Sequence, residues 1–130
     1  LAHLLERKLV KPPLFVQTIF GILGGIGVEQ DNLVFMRRTA DRLFGGDYVW
    51  SVLGAGRHQF PLTTLAATMG GNVRVGLEDN LFIGRGQLAK DNAELVEKMV
   101  RLLDEMSLAP ASPDEARQLL HLKGRQAVGF

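Results

Sequence analysis

Residues 72–80, "NVRVGLEDN", attach an arginine and two adjacent carboxylates to an otherwise apolar run. Charge in such a place is costly unless it is paired or bound to a metal. Arg74, Glu78 and Asp79 therefore have either a structural pairing or a chemical task. One arginine neutralises one acid, so the second carboxylate points to a cation or to a moving proton. The alternative is a buried Arg74–Glu78 ion pair, with Asp79 capping the segment that follows. The residues by themselves leave both readings open. If 72–78 is a strand, Val73, Val75 and Leu77 share one face, and Arg74, Gly76 and Glu78 share the other. Glu78 then stands at the C-terminal rim with Asp79 just beyond it. Arg74 lies about 13 Å lower at strand rise, with Gly76 leaving its long side chain a path upward.

Other candidates are weaker. The stretch "GILGGIG" follows an apolar run and invites comparison with a phosphate cradle, but it is not GxGxxG and lacks a P-loop lysine. A tight loop that needs positive φ is the plainer reading. His58 in "GRHQF" is a possible base or metal ligand, and equally a hydrogen-bonded loop residue. Arg57 and Arg85 fall in loops at the same end of the expected strands. They are placed either to meet the phosphates of a large anionic substrate or simply as solvated charge. His3 and His121 sit on helices away from the strand ends, and Met99 and Met106 lie on an apolar helical stripe.

The elements that must position these residues are legible from periodicity. "LAHLLERKLV" reads as a helix tail ended by "KPP", which suggests the C-terminal portion of a longer polypeptide. "LFVQTIF" and "YVWSVLG" are apolar on both faces and end at glycines, as buried strands do. Asp31 is expected to cap a helix that runs to the glycines at 45 and 46. A second helix is expected over 61–69, with Pro61 in its first turn. Asp91 with Glu94 marks the start of a long amphipathic helix through Met106, and Ser112, Pro113 and Glu115 mark a short final one.

Apolar strands alternating with amphipathic helices define an α/β chain with parallel strands. Three strands do not close a barrel, and an eight-stranded one takes about 250 residues. The expectation is that residues 1–130 form the C-terminal part of a single TIM-barrel domain, a (β/α)8 barrel to which they bring the last three strands. A small open sheet is the alternative.

Composition narrows the function. The chain is 46% hydrophobic and 22% charged, with a net charge of +1 and its charges interspersed. It offers no basic footprint for nucleic acid and no arm for anionic lipid. Cysteine is absent, which excludes disulfides and thiolate chemistry within the chain. No apolar run reaches the roughly 20 residues of a membrane span, and no signal-peptide layout is visible. The expectation is a cytoplasmic protein with small-molecule partners, and neither nucleic acid nor membrane.

The segments "PLFVQTIFGILGGIG", "YVWSVLGAGRHQFPL" and above all "GGNVRVGLEDNLF" resemble the C-terminal half of the β-keto acid cleavage enzymes, the family that includes 3-keto-5-aminohexanoate cleavage enzyme. The resemblance covers essentially the whole chain. It implies a barrel with one zinc ion (Zn2+) at its C-terminal mouth. Glu78 would be a metal ligand, with two histidines expected upstream of Leu1 as the others. It also implies Arg74 and Asp79 as the catalytic pair, a β-keto acid and acetyl-CoA as substrates, acetoacetate and a new acyl-CoA as products, and a homo-oligomer. Asn72 and Phe82 stand where many relatives have histidine and tyrosine. Two further readings of the same residues are a metal-dependent barrel lyase or aldolase acting on a small oxo acid without acetyl-CoA, and a non-catalytic half-barrel.

Overall fold

Two strands rich in β-branched and aromatic residues form the centre of the chain. In the computed structural model, which describes residues 1–129 apart from the side chain of Arg125, β1 (Leu14–Phe20) and β2 (Tyr48–Gly54) run parallel. They stay in register from Leu14 opposite Tyr48 to Phe20 opposite Gly54. One face of the pair supplies Phe20, Trp50 and Val52 to a core completed by Leu33 of α2 (Gln30–Phe44) and by Leu62 and Ala66 of α3 (Gln59–Thr68). Full burial of a side chain such as Phe20 or Leu33 stabilises the fold by about 1.5–3 kcal/mol. Thr18 is tolerated inside because its hydroxyl accepts from Trp50 Nε1 at 3.0 Å and donates to the Ser51 carbonyl at 3.3 Å. On the opposite face Phe15 and Ile19 remain 55% and 46% exposed.

The third strand departs from expectation. β3 is Asn72–Val73, paired in parallel with Ser51 and Val52, and it does not continue to Glu78. The Arg74 N–H still donates to the Val52 carbonyl at 3.0 Å, but the amides of Asp79 and Asn80 both fold back onto the Gly76 carbonyl at 3.1 Å. Side chains take over the remaining backbone groups: Gln59 Nε2 donates to the Gly76 carbonyl at 3.0 Å, and Asn92 Oδ1 accepts from the Leu77 N–H at 2.8 Å. These two groups are no longer available to a ladder. The apolar half of the reading holds, since Val73, Val75 and Leu77 pack against Phe60, Leu95 and Met99.

A two-stranded hairpin, β4 (Phe82–Gly84) and β5 (Gln87–Leu88), follows and was not expected from the sequence. Its turn depends on Gly86, which sits at φ +73° where a side chain is strained. Two of the expected helix starts differ in the structure. Glu29, not Asp31, occupies the N-cap of α2, and Asp31 lies in the first turn. α3 begins at Gln59 behind a 3-10 turn (Gly56–His58), two residues before Pro61. Asp91 caps α4 (Asn92–Glu105) by accepting from the Glu94 N–H at 2.9 Å, and Glu94 reaches back to the Lys90 amide at 2.7 Å. Ser112 and Glu115 make a full reciprocal box at α5 (Pro113–Leu119). A short helix, α1 (Ala2–Glu6), opens the chain.

At the start of β2 a polar cluster ties strand to helix. The Arg37 guanidinium lies 5.4 Å from the Tyr48 ring centre and 4.8 Å from that of Trp50. Asp41 accepts from Tyr48 Oη at 2.6 Å and from Arg37 Nε at 3.2 Å. Burial first, and then the bond to Asp41, push the Tyr48 hydroxyl up to about 12. The same hydrogen bond is the main reason the Asp41 carboxyl is held below its ordinary value, with Arg37 adding to it.

Candidate functional site

Arg74 organises the other end of the sheet. Its backbone is pinned to β2 through Val52, so the guanidinium projects from a fixed base. Nε donates to Asp79 Oδ2 at 3.0 Å and Nη2 to Asp79 Oδ1 at 3.3 Å, a two-point grip on one carboxylate. Nη2 also donates to Glu78 Oε2 at 2.8 Å, and Nη1 to Gln17 Oε1 of β1 at 3.4 Å. The three residues singled out from the sequence are thus together. They meet through a turn, not through alternate positions of a strand, which is why Arg74 reaches Glu78 directly.

The two acids have different surroundings. The Asp79 side chain is 9% exposed and that of Glu78 is 84% exposed. The ion-pair alternative is therefore present in part: Arg74 does pair with Glu78, but at the surface, and its better-shielded partner is Asp79. Asp79 does not cap the next segment. Its carbonyl instead accepts from the Gly56 N–H at 2.7 Å, tying the turn to the loop after β2. Gly54 makes that loop possible, because a Cβ there would sit 2.6 Å from the His58 carbonyl oxygen.

The donor set bears on metal binding. Among the described residues, no three His, Cys, Asp or Glu side chains come together to hold an ion. Glu78, with Oε1 unbonded among the described residues and its side chain in solvent, fits the role of a single ligand and no more. His58 Nε2 accepts from Arg57 Nε at 3.1 Å, and His3 lies beside Glu6 on α1, so neither is joined to the cluster by a hydrogen bond. The glycine-rich loop closes on itself, with Gly21 N–H on the Ile26 carbonyl and Gly25 N–H on the Ile22 carbonyl. It is a tight loop, with those two amides already used. Asn72 Nδ2 donates to the Trp50 carbonyl at 3.0 Å.

Sequence reasoning missed three supports. Gln17 touches Arg74 from 57 residues away, and a lone glutamine in an apolar strand was the available signal. Gln59, fully buried with Oε1 unpartnered among the described residues, and Asn92 hold the turn in shape. Neither carried a local pattern that marks it.

Parallel strands, helices packed on one face and charged groups gathered past the strand ends define an α/β unit. The chain belongs to the beta-keto acid cleavage enzyme family, whose model matches residues 1–122. It is 54% identical over its full length to 3,5-dioxohexanoate:acetyl-CoA acetone transferase of Paraburkholderia graminis, of which it covers 42%. It is 44% identical over 91% of its length to 3-keto-5-aminohexanoate cleavage enzyme of Fusobacterium nucleatum, covering 41% of that protein. Identity to 3-dehydrocarnitine:acetyl-CoA trimethylamine transferase of Rhizobium meliloti is 36% over 95% of the chain and 39% of the relative. The chain therefore spans about 40% of the length of the curated relatives it matches. No helix among the described residues is long and apolar enough to cross a membrane.

Proposed function

We propose that this chain forms the C-terminal strands and strand-end chemistry of a (β/α)8 barrel in a β-keto acid cleavage enzyme. That enzyme would convert a β-keto acid and acetyl-CoA into acetoacetate and a new acyl-CoA. The observation that carries the reading is Arg74 gripping a shielded Asp79 while also holding an exposed Glu78, all beyond the strand ends. Two adjacent acids in such different surroundings suit two different tasks.

In this account Asp79 removes the proton between the keto carbonyl and the carboxylate of the substrate. Arg74 fixes Asp79 in one orientation and places positive charge beside the carbanion that develops. Gln17 and the Val52 carbonyl keep Arg74 from swinging away. The carbanion attacks the acetyl carbonyl of acetyl-CoA and forms a carbon–carbon bond. The acetyl C–S bond breaks, the freed CoA thiolate attacks the original keto carbon, the older carbon–carbon bond breaks, and the acetoacetate carbanion takes back the proton held by Asp79. Glu78 would contribute one ligand to a zinc ion, the remaining ligands coming from histidines elsewhere in the polypeptide. Such an ion supplies Lewis-acid polarisation of the keto acid oxygens when bound.

The complete polypeptide, assayed with a panel of β-keto acids, is expected to release acetoacetate only when acetyl-CoA is present. Cleavage of an oxo acid without acetyl-CoA would instead establish a barrel lyase or aldolase.

A further inference from the structure

Just past Asp79 the chain lines a second space. A cavity of about 840 Å3 lies between α3, the β4–β5 hairpin and α4, within the range of small-molecule sites. Its apolar lining includes Phe60, Phe82 and Leu102, and its charged lining is Arg57, Arg85 and Lys98, with no Asp or Glu. Among the described residues none of these three cations takes part in an ion pair. Lys98 Nζ donates to the Ile83 carbonyl and lies 4.2 Å from the centre of the Phe60 ring. Arg57 uses Nε on His58, which leaves its terminal nitrogens for a ligand. Arg85 stands exposed at the hairpin turn.

The cavity and the Arg74 cluster share a wall. Asn80 lines the cavity and follows Asp79 directly, while Gly56, next to Arg57, donates to the Asp79 carbonyl at 2.7 Å. Arg57 comes from the loop that follows parallel β2, where α/β enzymes hold phosphate groups, and the turn of the antiparallel hairpin brings Arg85 to the same cavity. Uncompensated positive charge beside aromatic and aliphatic surface is complementary to an anion joined to a flat apolar body. Arginine's fork matches phosphate oxygens in particular.

We propose that this cavity binds the phosphorylated nucleotide end of acetyl-CoA, with Arg57 and Arg85 on phosphate oxygens and the apolar wall against the base. The assignment rests on the acetyl-CoA-dependent reading above and adds the place where the co-substrate is held. It is tested in the complete polypeptide with the R57Q/R85Q variant, both positions being exposed, by comparing kcat/KM for acetyl-CoA with that for acetyl-pantetheine, which lacks the nucleotide. The ratio is expected to fall by at least about fivefold, the loss anticipated for two charge-assisted contacts at a solvated site. A smaller fall overturns the assignment. If the wild-type protein turns over neither thioester, the functional reading fails, and calorimetric titration with adenosine 3′,5′-bisphosphate decides the cavity separately. Binding weakened about fivefold in the variant supports the site, and either no binding to the wild type or equal binding to both overturns it.

Discussion

The two ends of the short parallel sheet each carry an arginine against carboxylate, and they use it differently. At the start of β2, Arg37 is stacked on Tyr48 and Trp50, and Asp41 takes hydrogen bonds from both Arg37 and Tyr48. Both oxygens of Asp41 are engaged there, Oδ1 by Tyr48 and Oδ2 by Arg37, and the face of the guanidinium is covered by the two rings. Past the strand ends, Arg74 faces two acids, and the outer one is left in solvent with one oxygen unbonded among the described residues. In the first arrangement no carboxylate oxygen is left over, as in a purely structural tie, whereas the second leaves a carboxylate oxygen free among the described residues, as the proposed chemistry requires. Arginine–acid pairs alone do not mark a site; what distinguishes the second is the surplus carboxylate.

Breaking the strand-end cluster is expected to have the larger effect. In the complete polypeptide, Asp79→Asn keeps the backbone bonds of the turn and one of the two bonds from Arg74 but removes the proposed base, so kcat should drop by about 10²–10⁴-fold. The unfolding midpoint should fall only modestly, because the amide fills the same space and Arg74 keeps Glu78 as its charged partner. An activity loss that instead followed a loss of fold would move Asp79 to the structural side of the comparison. Tyr48→Phe probes the opposite end with a smaller effect. Losing the bond to Asp41 should cost about 1 kcal/mol in denaturant unfolding, with turnover unchanged.

The pH dependence sharpens the contrast. A hydroxyl raised to about 12 when folded contributes fully below the ordinary tyrosine value of 10 and loses that contribution as pH climbs from there to about 12. Asp41, lowered when folded, contributes above the ordinary carboxylate value and loses it as pH falls. Denaturation midpoints measured from pH 9 to 12 should therefore decline in the wild type and decline less in Tyr48→Phe. Equal slopes would show that the cluster is not what couples strand to helix.

How far the sequence foretold this depends on how local each signal is. β1 and β2 were legible to the residue because both faces are apolar and a glycine closes each one. The Ser112–Glu115 box was legible because it is contained in four residues. β3 was overread because its ladder is cut by Gln59 and Asn92, whose hydrogen bonds to Gly76 and Leu77 span 17 and 15 residues. The hairpin was missed because strands of three and two residues carry no period. Arg74, Glu78 and Asp79 lie within six residues, so their association was visible. Gln17 and the wall shared with the cationic cavity depend on tertiary packing.

Zinc content is the most direct measure of the central claim. The complete polypeptide, purified as wild type, Glu78→Gln and Asp79→Asn, should hold about one zinc per chain in the first and third and lose it in the second. A Glu78→Gln protein that retained a full complement of zinc and normal turnover would contradict the account.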